Sequence, residues 1–169
     1  YLKGRVLDYG AGRMPYRDLV ESFGGDHWVY DSHTFPGSTV AEGFVGHDFD
    51  WYAETWQSIL CTQVVQYVPL YPEEDGLDAL LIRFRHALES DRGYLVMTYP
   101  TNWPEVEPED LHRFTKAGME RLLTEAGFTI VLHERRGTLY DARFPSGREK
   151  RITALTDEFA IGYGVVARA

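Results

Sequence analysis

Cysteine is almost missing from this chain. Cys61 is the single one among 169 residues. One thiol makes neither an internal disulfide nor a cysteine-based zinc site. A reducing, cytoplasmic setting is therefore the default expectation, with Cys61 a small buried hydrophobe. Long apolar runs are missing too: none approaches the roughly 18 residues that span a bilayer, and no signal peptide is visible, so no membrane partner is expected. Positive charge is scarce. Lys and Arg number 17 against 26 Asp and Glu, a net charge of −9, which argues against a broad nucleic-acid surface. The six histidines are scattered, and no His/Asp cluster has metal-ligand spacing, so no metal is expected. Repeats, low-complexity tracts and domain boundaries are also lacking. A single domain over residues 1–169 is expected, long enough for a sizeable core. The chain opens on Tyr1 rather than Met, and a further segment upstream is expected.

What is present begins at once. Gly4 to Tyr16 reads Gly-Arg-Val-Leu-Asp-Tyr-Gly-Ala-Gly-Arg-Met-Pro-Tyr. Arg5 to Tyr9 has the branched apolar character of a buried parallel strand. Gly10 and Gly12 allow a sharp turn and a close backbone approach. Pro15 suits the first turn of a helix, to which Leu19, Val20 and Phe23 give an apolar stripe. Strand, glycine turn and helix start together make a ligand crevice, although the same residues also fit an ordinary strand-to-helix turn. His27 to Asp31 reads as a second strand. A carboxylate about 20 residues past a glycine turn is placed to bind ribose hydroxyls, which fits a nucleoside-containing cofactor.

Further along, Gly43 to Gly46 reads as a weak third strand and Gln57 to Thr62 as a fourth. A helix spans about Glu74 to Glu89, with Leu77, Leu80, Leu81, Phe84 and Leu88 on one face. Tyr94 to Tyr99 is a fifth strand, stopped by Pro100. Thr115 is an N-cap for a helix carrying Met119, Leu122, Leu123 and Ala126, with Gly127 just past its end. Phe128 to Glu134 and Phe159 to Ala167 are the last two strands, separated by an irregular insertion at 136–157. The alternation predicts a parallel sheet with helices on both faces. No convincing helix precedes the last strand, so that strand is predicted to be antiparallel.

On these residues the chain resembles the class I S-adenosylmethionine-dependent methyltransferases of the small-molecule type. The resemblance covers nearly the whole chain. It rests on Val6-Leu7-Asp8-Tyr9-Gly10-Ala11-Gly12, Asp31, Asp48 and Cys61-Thr62-Gln63-Val64-Val65, then on Asp110-Leu111-His112-Arg113-Phe114-Thr115 and Gly118 to Phe128. It implies an α/β, Rossmann-like, doubly wound fold: a mostly parallel seven-stranded sheet with an antiparallel last strand. It also implies S-adenosylmethionine as cofactor. Gly10, Ala11 and Gly12 would pass beneath its methionine end, with Asp8 helping to order that turn. Asp31 would take the ribose hydroxyls, Asp48 the adenine amino group with Phe49 near the ring, and the backbone at Cys61 and Thr62 would face the methionine moiety. Two positions depart from the family. Met14 stands where a third glycine is common. Gln66-Tyr67 stands where an acidic residue and a histidine often follow.

Methyl transfer from a sulfonium is an in-line displacement, so positioning and water exclusion matter most. A base is needed only if the acceptor must lose a proton. His112 is the candidate, unless it merely braces the helix that follows. Tyr67, Tyr99 and Trp103 are candidates to line an acceptor pocket, unless they are core. The segment Arg135 to Arg151 holds six basic residues, among them Arg143 and Arg148, in an acidic chain. It is either a solvated loop or a recruiter of an anionic acceptor. The expected activity is methyl transfer to an oxygen or nitrogen of a small molecule. A nicotinamide-dependent oxidoreductase is a rival, weakened because Pro15 stands where G-x-G-x-x-G wants its last glycine. A methyltransferase-like binding or scaffold protein without catalysis is the other.

Overall fold

The computed structural model describes residues 1–31, 44–45, 55–70, 76–102, 110–137 and 160–169. They form one sheet of seven strands in the order β3-β2-β1-β4-β5-β7-β6. The strands are β1 Gly4–Tyr9, β2 Gly25–Asp31, β3 Phe44–Val45, β4 Ser58–Thr62, β5 Tyr94–Pro100, β6 Thr129–Arg135 and β7 Gly162–Arg168. β3 is two residues long, so six strands carry most of the sheet. The pairs β2·β3, β1·β2, β1·β4 and β4·β5 are parallel. β7 runs antiparallel to both β5 and β6, as the sequence predicts.

β4 is buried without alternation because both faces of the sheet are covered there. In β4, residues Ser58 to Cys61 are all buried. α1 Arg17–Ser22 lies on one face, where Val20 packs against Val6 and Leu60. α2 Leu77–Ala87 and α3 Lys116–Glu125 lie on the other. Leu77, Leu80, Leu81 and Phe84 of α2 and Met119 and Leu123 of α3 meet Leu7, Ile59, Cys61, Leu95 and Met97 there. The helical spacing of the α2 leucines thus marks a real buried face. α3 starts at Thr115, whose hydroxyl accepts from the Gly118 N–H at 3.1 Å. It stops at Gly127, which takes the left-handed conformation, φ +90.

α1 departs from expectation. Leu19 and Phe23 are exposed, leaving Val20 as its buried residue. Pro15 does not open the helix. It sits at the second position of a turn in which Arg17 N–H donates to the Met14 carbonyl at 3.2 Å. Proline's fixed φ suits that turn position equally well. At the opposite end of the sheet, β6 is an edge strand with an irregular register between Ile130 and Leu132. Val131 and Leu132 are exposed there, and the charged Glu134 and Arg135 close the strand, as edge strands commonly do.

The turn after β1 locks against the turn after β4. Gly10 has φ +72, and a Cβ placed on it would lie 2.4 Å from Val64 Cγ2. Gly10→Ala should therefore cost about 1–3 kcal/mol of stability in urea denaturation, from strain and overpacking together. Adding Val64→Ala should return the overpacking part. Additive losses in the double variant would show that the two turns do not press on each other.

Two buried protons give an alkaline signature. Burial pushes the Cys61 thiol well above its ordinary value of 9.0, with the Asp8 charge adding to it. Burial does the same to the Tyr99 phenol, whose ordinary value is 10.0, aided by Tyr163 and Glu120. The folded state keeps protons that the unfolded chain releases, so stability should fall as pH rises above the ordinary values. The limiting slope is about 1.4 kcal/mol per pH unit for each group. Denaturation curves of Cys61→Ala should show a shallower alkaline loss than wild type. Equal slopes would rule the thiol out as a cause.

Candidate functional site

The carboxyl ends of β1, β2 and β4 meet at the glycine turn. Gly10 N–H and Ala11 N–H both donate to the Tyr30 carbonyl of β2, at 2.7 and 3.2 Å. Gly12 has φ +53 and Met14 φ +55. Met14 thus adopts the left-handed geometry that a glycine would take more easily, at a cost of about 1–3 kcal/mol. The turn closes with Met14 N–H donating to the Ala11 carbonyl at 2.8 Å. Asp31 ends β2, one residue past Tyr30. Open α/β sheets bind ligands outside these strand ends.

Asp8 does something other than order this turn. Its carboxylate lies 3.0 Å from His27 Nε2 on β2, and both side chains are almost fully buried. The reason is strand alternation: Asp8 points to the face that carries Val6 and Leu60. The Tyr30 carbonyl holds the turn instead. His27 was legible only as a strand residue, because its pairing depends on the β1–β2 register.

After β4 the chain makes a short 3-10 turn, Val65–Tyr67, and this turn organises the second half of the site. The Gln66 carbonyl accepts from both Leu111 N–H and His112 N–H, at 2.9 and 3.2 Å. Gln66 Nε2 donates to the Gln63 carbonyl at 2.8 Å. Phe114 N–H donates to the Pro100 carbonyl at 3.4 Å, and Arg113 is clasped by the buried carboxylate of Asp110. These contacts bring His112 to the carboxyl ends of β4 and β5. Two buried atoms there have no hydrogen-bond partner among the described residues, His112 Nε2 and Gln66 Oε1. Buried polar atoms are normally paired, so each invites a ligand. Gln66 was noticed in the sequence only as a departure from the family.

The remaining expectations divide. Cys61 is fully buried and Thr62 half-buried at the end of β4. Tyr67 is exposed on the 3-10 turn. Tyr99 belongs to the core rather than to a pocket wall. It is fully buried, packs against Phe114 and Tyr163, and its hydroxyl lies 2.6 Å from His133 Nε2. His133 Nδ1 in turn lies 2.9 Å from Glu120 of α3. Tyr99 takes this direction because alternation along β5 puts it on the same face as Leu95 and Met97. Asp48, Phe49, Trp103, Arg143 and Arg148 lie outside the described residues. Of the basic island, Arg135 and Arg136 are described.

No family model matches this chain, and no curated protein matches it in sequence. Solved structures do match in shape. One is a SAM-dependent methyltransferase from Archaeoglobus fulgidus, 15% identical, covering 98% of this chain and 86% of the other with a TM-score of 0.69. Another is an S-adenosylmethionine-dependent methyltransferase from Mesorhizobium loti, 14% identical, over 98% and 90% of the two chains, TM-score 0.63. A third is the 1,6-didemethyltoxoflavin-N1-methyltransferase of Burkholderia thailandensis, bound to 1,6-didemethyltoxoflavin and S-adenosylhomocysteine. It is 19% identical over 97% of this chain and 70% of that one, TM-score 0.64. Along nearly its whole length, then, this chain has the fold of the S-adenosylmethionine-dependent methyltransferases.

Proposed function

We propose that this chain is a methyltransferase that moves the methyl group of S-adenosylmethionine to an oxygen or nitrogen of a small-molecule acceptor. The observation that carries the proposal is the glycine turn of Gly10 to Gly12, held under the ends of β1, β2 and β4 by the Tyr30 carbonyl. It lies within a fold shared with S-adenosylmethionine-dependent methyltransferases over 98% of the chain. A neighbour of that fold has 1,6-didemethyltoxoflavin and S-adenosylhomocysteine bound.

The residues present fit such a cofactor. The turn has small side chains at Gly10, Ala11 and Gly12, which lets a ligand come close to its backbone. Asp31 stands at the end of the neighbouring strand, where a carboxylate reaches a ribose. Gly10, Ala11 and Gly12 would underlie the methionine end, the backbone at Cys61 and Thr62 would face it, and Asp48 and Phe49 are assigned to adenine. When bound, S-adenosylmethionine supplies an electrophilic methyl group on a sulfonium. This chain's part is to orient the acceptor and exclude water.

His112 is the residue we assign to the acceptor proton. It is held by its own N–H to the Gln66 carbonyl, and its buried Nε2 lacks a partner among the described residues. As the unprotonated nitrogen of a neutral imidazole, Nε2 would accept a proton from the acceptor as the new bond forms. Tyr67 and Trp103 are assigned to the acceptor pocket, and Arg143 and Arg148 to recruitment of an acceptor that bears negative charge. We read residues 1–169 as one domain with helices wound on both faces of its sheet.

Calorimetry with S-adenosylhomocysteine tests the cofactor assignment. Asp31→Ala should weaken binding by about 1–3 kcal/mol through lost ribose hydrogen bonds. Equal affinity would remove Asp31 from the site, and tight NAD binding in place of S-adenosylhomocysteine would overturn the reading. His112→Ala should lower kcat by about a hundredfold or more with an oxygen acceptor while leaving S-adenosylhomocysteine affinity unchanged. A variant that keeps its rate would make His112 a brace for α3. Cofactor binding without turnover across a broad acceptor panel would favour a binding protein of this fold.

A further inference from the structure

β4, β5 and β6 end, and β7 begins, around one cavity of about 230 Å³ lined by Gln63, Pro100, Arg136, Ile161 and Gly162. Gln63 directly follows β4, Pro100 is the last residue of β5, Arg136 directly follows β6, and Ile161 and Gly162 lead into β7. The cavity therefore lies at the ligand end of the sheet.

Two of its residues are held firmly. Gln63 has φ +56, an uncommon backbone conformation for a residue with a side chain. Its N–H donates to the Thr98 carbonyl at 2.9 Å. The amide orientation that matches donors to acceptors turns Gln63 Oε1 toward Thr98 Oγ1 at 3.2 Å, Tyr99 N–H at 3.3 Å and Arg136 Nη1 at 2.9 Å. Arg136 is fixed again through its N–H, which donates to the Gly162 carbonyl at 2.8 Å.

The chemistry of this pair is unusual for a structural arginine. Gln63 holds the guanidinium in place without neutralising it, and no carboxylate among the described residues pairs with Arg136. Among those residues its charge stands open, in a chain of net charge −9. One N–H is engaged by Gln63, which leaves the rest of the fork for a planar anion. Pro100 and Ile161 supply apolar walls beside it. The cavity is smaller than the roughly 300–1,000 Å³ of a pocket that encloses a whole ligand. It suits the charged end of a molecule whose body extends elsewhere.

We propose that this cavity receives a carboxylate of the methyl acceptor, with Arg136 as its ionic partner and Gln63 as the positioning residue for the guanidinium. A carboxylate is favoured over a phosphate monoester because the single charge of Arg136 balances one negative charge and would leave a second uncompensated. The inference rests on the methyltransferase reading in naming the ligand an acceptor. The anion site itself stands on the geometry of Gln63 and Arg136.

The test is an NMR titration of the amide resonances with benzoate and with uncharged benzamide, run with and without saturating S-adenosylhomocysteine. Benzoate should shift Gln63, Arg136 and Gly162 saturably, benzamide should not, and added salt should weaken the effect. Arg136→Met should weaken benzoate about ten- to a hundredfold, and Arg136→Lys should recover only part of that, since the planar fork is lost. Gln63→Glu should abolish benzoate binding by neutralising the guanidinium where it stands, while Gln63→Asn should retain some of it. Thermal melts identify any variant that has lost its fold. Unchanged benzoate affinity in folded Arg136→Met, shifts mapping elsewhere, or equal response to benzamide would overturn the proposal. If S-adenosylhomocysteine binds and the benzoate arm fails, the carboxylate site alone falls. If benzoate binds as expected and S-adenosylhomocysteine does not, the methyltransferase reading falls and the anion site stands.

Discussion

The site depends on one carbonyl oxygen. Tyr30, near the end of β2, accepts from the N–H groups of both Gly10 and Ala11, so the chain leaving β1 must turn toward β2 before it can enter α1. Only a residue without a Cβ fits the first position of that turn, because Val64 fills the space on the other side. The ends of β1, β2 and β4 are thereby fixed to one another without any ligand. A surface fixed in this way needs little reorganisation when a ligand arrives, which favours affinity.

The two faces of the sheet carry different polar cargo, and each is paired within the protein. On the α1 face, Asp8 and His27 satisfy each other. On the α2–α3 face, Tyr99, His133 and Glu120 form a chain from the core to the surface. Buried polar groups left unpaired would destabilise the fold strongly. Among the described residues, His112 Nε2 and Gln66 Oε1 lack partners by the carboxyl ends of the strands. The pairs hold the sheet together, while these two atoms stand at its carboxyl ends.

Much of the fold was legible because its signals are local. The spacing of Leu77, Leu80, Leu81, Phe84 and Leu88, the cap at Thr115 and the glycine at 127 each report a helix from a few neighbouring residues. α1 was misread at its start because Pro15 serves a turn and a helix opening equally well, and only the Met14–Arg17 bond decides between them. Its stripe was overestimated because Leu19 and Phe23 have helical spacing but are exposed.

The sequence by itself determined the order and kind of the elements, the glycine turn, and the reversal of the last strand. Those follow from periodicity, turn chemistry and chain length, which act over short stretches. Tertiary structure alone decided the partners: His27 for Asp8, His133 for Tyr99, Gln66 for the loop of His112, and Gln63 for Arg136. Each pair joins elements that meet only through strand register or through the ends of different strands. A side chain's face, and hence its partner, is set by that register and not by the residue type. For the same reason Tyr99, read as an aromatic at a strand end, turned into the core, while Gln63 became the support of a cation.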